Sequence, residues 1–180
     1  MSLLKVFSDN NASDFQEFTE FDEIRQQLAD AGIRFERWQA EKDLSNEATQ
    51  DQIIEAYRES IDKLKKERGF ITVDVVSIHP ETPNHPEMRK KFLDEHTHSE
   101  DEVRFFVDGS GAFYIHKNQK VLQMICERND LLSVPAGTKH WFDMGPKPFF
   151  KAIRLFNNPE GWVAQFTGDK LAQNYPRYQE

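Results

Sequence analysis

Two histidines and a glutamate lie close together in the middle of the chain, within the segment HTHSEDE. His96 and His98 are two residues apart, so in an extended strand their side chains share one face. Glu102 has the same parity and reaches the same point if the strand continues with little bending. Further along, PAGTKH combines proline and glycine in a tight turn that ends at His140, at the start of the segment HWFDM. The four side chains together predict one metal site.

Three neutral imidazoles and one carboxylate form a donor set for a divalent transition metal. Such a set, without thiolate, suits Fe(II), Ni(II), Mn(II), Co(II) or Zn(II). Zinc usually takes four ligands in a tetrahedron, whereas an octahedral ion held by these four would keep two positions open. Two open positions fit a bidentate oxygen substrate, or one substrate atom together with O2. A His-x-His pair also arises by chance on a polar strand face, but the nearby carboxylate and the later Pro-x-Gly-x-x-His favour the metal site.

Two helices are predicted in the first part of the chain. Thr19 can cap a helix that ends near Ala31, because Gly32 follows it. Thr49 begins a longer helix with a capping box, since a glutamine stands three residues later, and Gly69 ends that helix. These helices must lie beside whatever element carries the histidines.

From Phe70 onward, short apolar segments alternate with turn residues. A short helix follows Pro86, and turns are predicted at 108–111, 118–119 and 129–130. Short strands at this spacing predict an antiparallel sandwich or barrel. The histidines then lie on or between strands of that barrel.

The fold class that follows is α+β and mainly β. We expect a single domain over residues 1–180, because this length suits one ordinary domain. Residues 1–69 form its helical N-terminal part, and residues 70–180 form the β-barrel.

Composition restricts the partners and the compartment. The formal net charge is -8, and an acidic surface repels the phosphates of nucleic acids and anionic membranes, so neither is expected as a partner. No apolar run approaches the roughly 20 residues that span a bilayer. A single cysteine, Cys126, cannot form an internal disulfide, which indicates a cytoplasmic protein. We expect a monomer.

Both histidine segments resemble the two motifs of the cupins. HTHSEDEVRFFVDG is similar to the first motif, and NDLLSVPAGTKHWFD is similar to the second. Lys90 stands where a glycine usually precedes the first histidine, and Asn129 stands where the second motif usually has glycine; neither departure removes a ligand. The resemblance implies a double-stranded β-helix, or jelly-roll barrel, with the metal inside and the N-terminal helices packed outside.

Four segments together resemble the acireductone dioxygenases of methionine salvage: GIRFERWQA, EHTHSEDEVRFFVDGSG, LLSVPAGTKHWFDMG and AIRLFNNPEGWVAQFTGD. The resemblance extends from about Gly32 to Tyr175. It implies one Fe(II) or Ni(II) ion per chain and an enediol substrate, 1,2-dihydroxy-3-keto-5-methylthiopentene, that reacts with O2. The Fe(II) form would give 2-keto-4-methylthiobutyrate and formate, and the Ni(II) form 3-methylthiopropionate, formate and CO. Alternatives are another cupin oxygenase or isomerase, or a non-catalytic cupin that binds a small molecule through its metal.

Charged side chains beside the ligands are candidates for catalysis. Arg104 is two residues past the ligand glutamate in an otherwise apolar strand, so it either stabilises the ionised substrate or pairs with a core carboxylate. Arg154, in AIRLF, poses the same choice as a substrate-binding residue. Glu95 and Asp101 flank metal ligands, where each could orient an imidazole or be an exposed loop acid.

The methylthio tail that the resemblance implies needs an apolar pocket. Phe92, Phe142 and Trp162 are the substrate-binding candidates, and Phe142 shares parity with His140. The alternative for each of these aromatic side chains is a place in the ordinary core.

Overall fold

The computed structural model describes residues 1–40, 44–45, 47–158 and 163–179. In chain order its strands are β1 (Leu3–Ser8), β2 (Asn11–Phe18), β3 (Arg34–Arg37), β4 (Thr72–Ile78), β5 (His96–Thr97), β6 (Glu102–Lys117), β7 (Lys120–Glu127), β8 (Asp130–Val134), β9 (Lys139–Asp143), β10 (Phe150–Phe156) and β11 (Gln165–Phe166). Its helices are α1 (Phe21–Asp30), α2 (Gln50–Ala56), α3 (Arg58–Arg68), α4 (His85–Phe92) and a short 3-10 helix (Leu171–Asn174). Within the described ranges, no helix has the length and apolar character needed to cross a bilayer.

Two antiparallel sheets share the long strand β6 and form the walls of the barrel. One sheet has the order β11-β5-β9-β6-β7-β1-β2, and the other has the order β4-β10-β6-β8-β3. The first half of β6 pairs with β8 and β10, and its second half pairs with β7 and β9. Because one strand belongs to both sheets, the sheets fold onto each other as a jelly roll. The predicted α+β fold class is confirmed.

Strand β6 runs through the segment DGSG, where the sequence predicted a turn, so that prediction is wrong. The backbone continues as strand, and its pairing with β10 shifts register between Lys151 and Ala152. Gly109 has φ +70°, and a Cβ there would lie 2.0 Å from the Phe149 carbonyl oxygen. The glycine therefore permits a bulge and a close backbone contact, which let β6 pass from one sheet to the other.

The first 69 residues are not only helical, because they contain β1, β2 and β3. The prediction of a helical N-terminal part missed these strands. Strand β1 is six residues long and pairs along its length with β7, a partner more than a hundred residues away. Strand β2 is mostly exposed and polar, without the alternation that identifies a strand. Both are stabilised by pairing rather than by a local pattern.

The helices begin and end partly where predicted. Helix α1 follows Glu20, with no side-chain cap bond, so the prediction of a Thr19 cap is wrong. The capping box of Thr49 and Gln52 is confirmed, and Gly69 ends α3 with φ 75°. The single long helix predicted between them is broken at the buried Tyr57, whose backbone leaves the helical region.

Alternation along β6 separates an outer apolar layer from the barrel interior. Val103, Phe105 and Val107 pack in one cluster with the buried faces of α2 and α3. The intervening residues point the other way, and Phe106 belongs to the interior cluster. Helices α2 and α3 thus cover the outside of one sheet, as expected, whereas Ile24 and Leu28 of α1 belong to the same cluster as Phe106. The inward parity of β6 presents Glu102 and Arg104 to the interior.

Candidate metal centre

Three buried imidazoles converge inside the barrel. The nearest ring nitrogens of His96, His98 and His140 lie within 4.8 Å of one another. Cross-strand pairing explains part of this, because His96 of β5 is paired directly with His140 of β9. The ring centroids of His96 and His140 are 4.5 Å apart, and that of His98 is 4.9 and 5.2 Å from them. The structure therefore brings together three of the four predicted ligands as a triad that could hold a metal ion.

Backbone carbonyl groups orient the three rings. Each Nδ1 atom is within hydrogen-bond distance of a main-chain oxygen, which fixes the orientation of the ring. The bonds are His96 Nδ1 to Asp94 O at 2.8 Å, His98 Nδ1 to Val163 O at 3.1 Å and His140 Nδ1 to Thr138 O at 2.8 Å. The Nε2 atoms are therefore the candidate metal-binding atoms.

Glu102, the fourth predicted ligand, faces the triad, although it does not lie on the same strand as His96. Strand β5 ends before His98, and the chain bends before β6 begins at Glu102. The Oε2 atom is nevertheless 3.2 Å from His98 Nε2 and 2.9 Å from His140 Nε2. Imidazole nitrogens and a carboxylate oxygen facing one point form the donor chemistry of a divalent transition-metal site, and the residues fit such an ion.

Burial and neighbouring charges set the protonation of these groups. Burial, with the nearby His140, lowers the pKa of His96 to about 4, so this ring is neutral at pH 7. Burial also opposes the charge of Glu102, but Arg104 and bonds from the two neighbouring histidines outweigh it and hold the pKa of Glu102 well below its usual range. A neutral imidazole and an ionised carboxylate are the forms that bind metal.

Arg104 lies beside the triad and pairs with a carboxylate, which is one of the two alternatives predicted for it. Its guanidinium donates to Glu102 Oε1 at 2.9 Å, so its core carboxylate partner is the candidate ligand itself. The same group lies 4.5 Å from the ring centroid of Phe142 and 5.1 Å from that of Phe113. The side chain is buried, and it lines the same cavity as the imidazoles.

Arg154 extends the row of charged side chains across the sheet. It is paired in register with Arg104 on one side and with Asp74 on the other. Its guanidinium donates two bonds to Asp74, from Nε at 2.8 Å and from an Nη atom at 2.5 Å. Two adjacent cations are therefore each balanced by a carboxylate, and both line the cavity.

A cavity of about 350 Å³ opens onto the triad. It is lined by Lys91, Phe92, His96, His98, Glu102, Arg104, His140, Phe142, Arg154, Ala164 and Phe166. Of the substrate-binding candidates, Phe92, Phe142 and Arg154 thus line it, whereas Trp162 lies outside the described residues. A larger groove of about 610 Å³ lies beside α2 and includes none of the histidines.

Three residues of the cavity wall were missed from the sequence: Lys91, Ala164 and Phe166. Phe166 belongs to the two-residue strand β11, which pairs with β5, and its ring centroid is 5.9 Å from that of His96. A two-residue strand has no readable period, so only its place in the AIRLFNNPEGWVAQFTGD block could have indicated it. Lys91 could not be recognised from the sequence, because it is exposed on α4 and a surface lysine does not belong to any sequence pattern.

Glu95 is buried, so it is not an exposed loop acid. It bonds to His116 Nδ1 and to Thr167 Oγ1, both at 2.8 Å, rather than to a ligand imidazole. Thr167 also donates its backbone N–H to the Glu95 carbonyl oxygen at 3.0 Å. Glu95 therefore fastens the segment after β11 next to His96, and His116 is one of its partners.

Asp101 connects two elements around the site. Its Oδ2 accepts a bond from Arg68 at 2.6 Å, at the end of α3, and its Oδ1 accepts the Ala136 N–H at 3.0 Å. The turn that contains Ala136 also donates the Gly137 N–H to the carbonyl oxygen of His98 at 2.9 Å. Asp101 is therefore bonded to the turn that leads directly to His140.

The fold and the site define the class of protein: a cupin with a metal centre of three imidazoles inside the barrel. A sequence profile of the ARD/ARD' family matches residues 4–164. The chain is 58% identical over 181 residues to acireductone dioxygenase from Hahella chejuensis (strain KCTC 2396), covering 100% of this chain and 97% of that protein. The chain therefore belongs to the ARD/ARD' family, and it is a dioxygenase that uses a metal cofactor.

Two further relatives agree with this assignment. Acireductone dioxygenase from Pseudomonas aeruginosa (strain UCBPP-PA14) is 55% identical over 177 residues, with 98% of each chain covered. A solved structure of acireductone dioxygenase from Bacillus anthracis has a cadmium ion in its active centre. It superposes with a TM-score of 0.79 at 28% identity, covering 92% of this chain and 98% of that one.

Proposed function

We propose that this protein cleaves the acireductone 1,2-dihydroxy-3-keto-5-methylthiopentene with O2, as a step of methionine salvage. One Fe(II) or Ni(II) ion would be held by His96, His98, Glu102 and His140. The observation that carries the proposal is the convergence of these four side chains at a cavity whose wall also bears two guanidinium groups. Membership of the ARD/ARD' family supports the choice of substrate.

The donor set fits the proposed ions. Imidazole and carboxylate ligands without thiolate suit Fe(II) and Ni(II). When bound, the ion supplies Lewis-acid chemistry, which lowers the pKa of a coordinated hydroxyl group and offers coordination positions to oxygen ligands.

Arg104 is proposed to stabilise the negative charge of the ionised enediol. It is buried in the cavity wall and already faces a carboxylate, so its donors are fixed before substrate arrives. A fixed cation in a site shielded from water is worth more than the same charge in solvent. Arg154 lies beside it and would bind the substrate as a second, more exposed cation, held in place by Asp74.

Aromatic side chains are proposed to bind the methylthio tail. Phe92 and Phe142 line the cavity, with ring centroids 6.3 Å apart in an edge-to-face arrangement. Thioether sulfur makes favourable contacts with aromatic rings, and the apolar wall keeps water from the reacting atoms. Trp162 remains a proposed third member of this pocket.

Two outcomes of the reaction are proposed for the two ions. The Fe(II) form would yield 2-keto-4-methylthiobutyrate and formate, and the Ni(II) form would yield 3-methylthiopropionate, formate and CO. Each product set contains all the atoms of the substrate and both atoms of O2. No further oxidant or reductant is therefore required.

Glu95 and Asp101 are proposed to position the catalytic site. The bonds of Glu95 fasten the segment after β11, and those of Asp101 fasten the turn before His140. Both acids thus act through neighbouring backbone rather than on substrate.

The remaining expectations concern the whole chain. We propose a single cupin domain that is monomeric and cytoplasmic, with no nucleic-acid or membrane partner. The formal charge of -8 and the single buried cysteine support this proposal. Gel filtration with light scattering tests the monomer, since a dimer would elute at twice the mass of 21.1 kDa.

The proposed function is tested by comparing two histidine variants after anaerobic loading with Fe(II). His98→Ala should lose most of its metal and its O2 uptake with the acireductone. His79→Ala is the matched control, because His79 is exposed, contacts Glu81 and does not line the cavity. Metal-loaded wild-type protein that consumes no O2 with this substrate would support a non-catalytic cupin, and turnover of other substrates alone would indicate a different cupin enzyme.

A further inference from the structure

The cavity wall carries positive charge in a chain of formal net charge -8. Among the described residues that line it, the cations are Lys91, Arg104 and Arg154, and the one carboxylate is Glu102. An imidazole carries no negative charge in either protonation state, so the wall is net positive before any metal ion is counted. The cavity wall is positive while the whole molecule is negative, so an anion binds more favourably at the cavity than elsewhere on the surface.

Lys91 differs from the two arginines in its pairing. Arg104 donates to Glu102, and Arg154 is bonded to Asp74, so both have carboxylate partners. Within the part of the chain that the structure describes, no carboxylate lies within 4.0 Å of the Lys91 ammonium group. Lys91 is exposed on α4 and contributes to the cavity lining, so its charge is available to a ligand that enters from solvent.

The position of α4 is fixed relative to the cavity. Arg89 makes a bidentate pair with the fully buried Asp143 of β9, with bonds of 2.7 and 3.1 Å. Strand β9 also carries His140 and Phe142, and Phe92 packs against Phe142. Lys91 therefore belongs to a helix that is attached to a strand bearing a metal ligand.

We infer that Lys91 is a substrate-binding residue that draws the anionic enediolate into the cavity. The inference rests on the proposed function, which supplies the anionic substrate, and adds to it a residue with no role in the chemical step. An ammonium group on a flexible stem suits this task, since it attracts charge without fixing geometry. Its removal should affect capture of the substrate and leave turnover of the bound substrate unchanged.

The test compares Lys91→Glu with Lys90→Glu, measured with one preparation of metal-loaded protein per variant. Lys90 is the neighbouring exposed residue of α4 and does not line the cavity, so both variants change the net charge equally. At low salt, Lys91→Glu should lower kcat/KM for the acireductone roughly tenfold with kcat unchanged, and Lys90→Glu should stay within about twofold of wild type. At about 0.5 M salt the difference should shrink to about twofold, because charges are then screened over a few ångströms.

Two further measurements make the result decisive. Anaerobic titration, followed by the ultraviolet absorbance of the enediolate, should give a weaker Kd for Lys91→Glu, and Lys91→Arg should restore it. Equal kcat/KM for the two glutamate variants at every salt concentration would overturn the inference while leaving the proposed function intact. Metal-loaded wild-type protein without acireductone turnover would instead contradict the proposed function, and the inference with it.

Discussion

At the scale of single residues, Glu102 connects the histidine triad with Arg104. One of its oxygens accepts a bond from Arg104, and the other faces the Nε2 atoms of two histidines. A buried carboxylate of this kind depends on its partners, because leaving it unpaired costs more free energy than the pair itself contributes. In the metal-free protein Arg104 supplies much of the positive charge that stabilises the Glu102 carboxylate. A bound metal cation would supply part of that charge.

Arg104→Ala should therefore have different effects on stability with and without metal. Without metal, we expect a loss of roughly 3–5 kcal/mol in the free energy of unfolding, because a buried carboxylate loses its cation. With metal, the loss should be smaller, while turnover should fall by about 10²–10³. Thermal melts and kcat/KM measure the two effects, and Arg104→Lys, which keeps the charge, is the control. Full turnover, or equal melting losses with and without metal, would tell against this role.

His96 should make the metal-free protein less stable in acid. Its pKa is lowered from 6.5 to about 4 in the folded chain, so between these values the unfolded chain binds the extra proton. The contribution of His96 is thus fully present above pH 6.5 and is lost as the pH falls to about 4. Urea titrations from pH 7 to pH 4 measure the slope. His96→Gln should flatten it, and an unchanged slope in that variant would refute the assignment.

At the scale of elements, the ligands depend on short connections that other parts of the chain hold in place. The turn before β9 is bonded to Asp101 and to the backbone of His98, so the carboxylate connects this turn with α3. Strand β11 is anchored by Glu95 and Thr167. These bonds convert flexible connections into a fixed arrangement of the three imidazoles.

Asp101→Ala should loosen the turn before His140 and weaken metal binding about 10–100-fold, the range typical when a supporting partner of a ligand is removed. Competition with a chelator gives the affinity. Arg68→Ala is the control, because it removes the ion pair but keeps the bond from Ala136 to Asp101. If the two variants lost the same affinity, the ion pair rather than the turn bond would be responsible.

Gly109→Ala should be much more destabilising than Gly137→Ala. Both glycines have positive φ, +70° and +72°, so both substitutions carry the same backbone strain. A Cβ at Gly109 would lie 2.0 Å from the Phe149 carbonyl oxygen, whereas at Gly137 nothing lies within 4 Å. We expect about 1 kcal/mol at Gly137 and at least about 3 kcal/mol at Gly109, measured by chemical denaturation. Equal losses would mean that β6 bends without needing this close contact.

At the scale of the whole molecule, the sequence predicted features with a local cause. The His-x-His spacing indicated that His96 and His98 face one site, and the capping box at Thr49 marked a helix start. Features that depend on distant partners were not predictable in this way. Strand β1 forms because β7 pairs with it, and Glu95 is recognisable as an anchor only once His116 and Thr167 are beside it. The cavity wall likewise combines residues from elements far apart in the chain.

The distribution of charge is also a property of the whole molecule. The chain has a formal net charge of -8, whereas the described residues that line the cavity include three cations and one carboxylate.

The most direct test of the central claim is product analysis on one purified preparation, stripped of metal and reloaded without oxygen. One portion receives Fe(II) and the other Ni(II), and each then receives the acireductone and O2. We expect one formate per substrate consumed in both portions, the 2-keto acid with Fe(II), and CO with Ni(II) only. Portions that carry one ion per chain and release no formate with either metal would contradict the account.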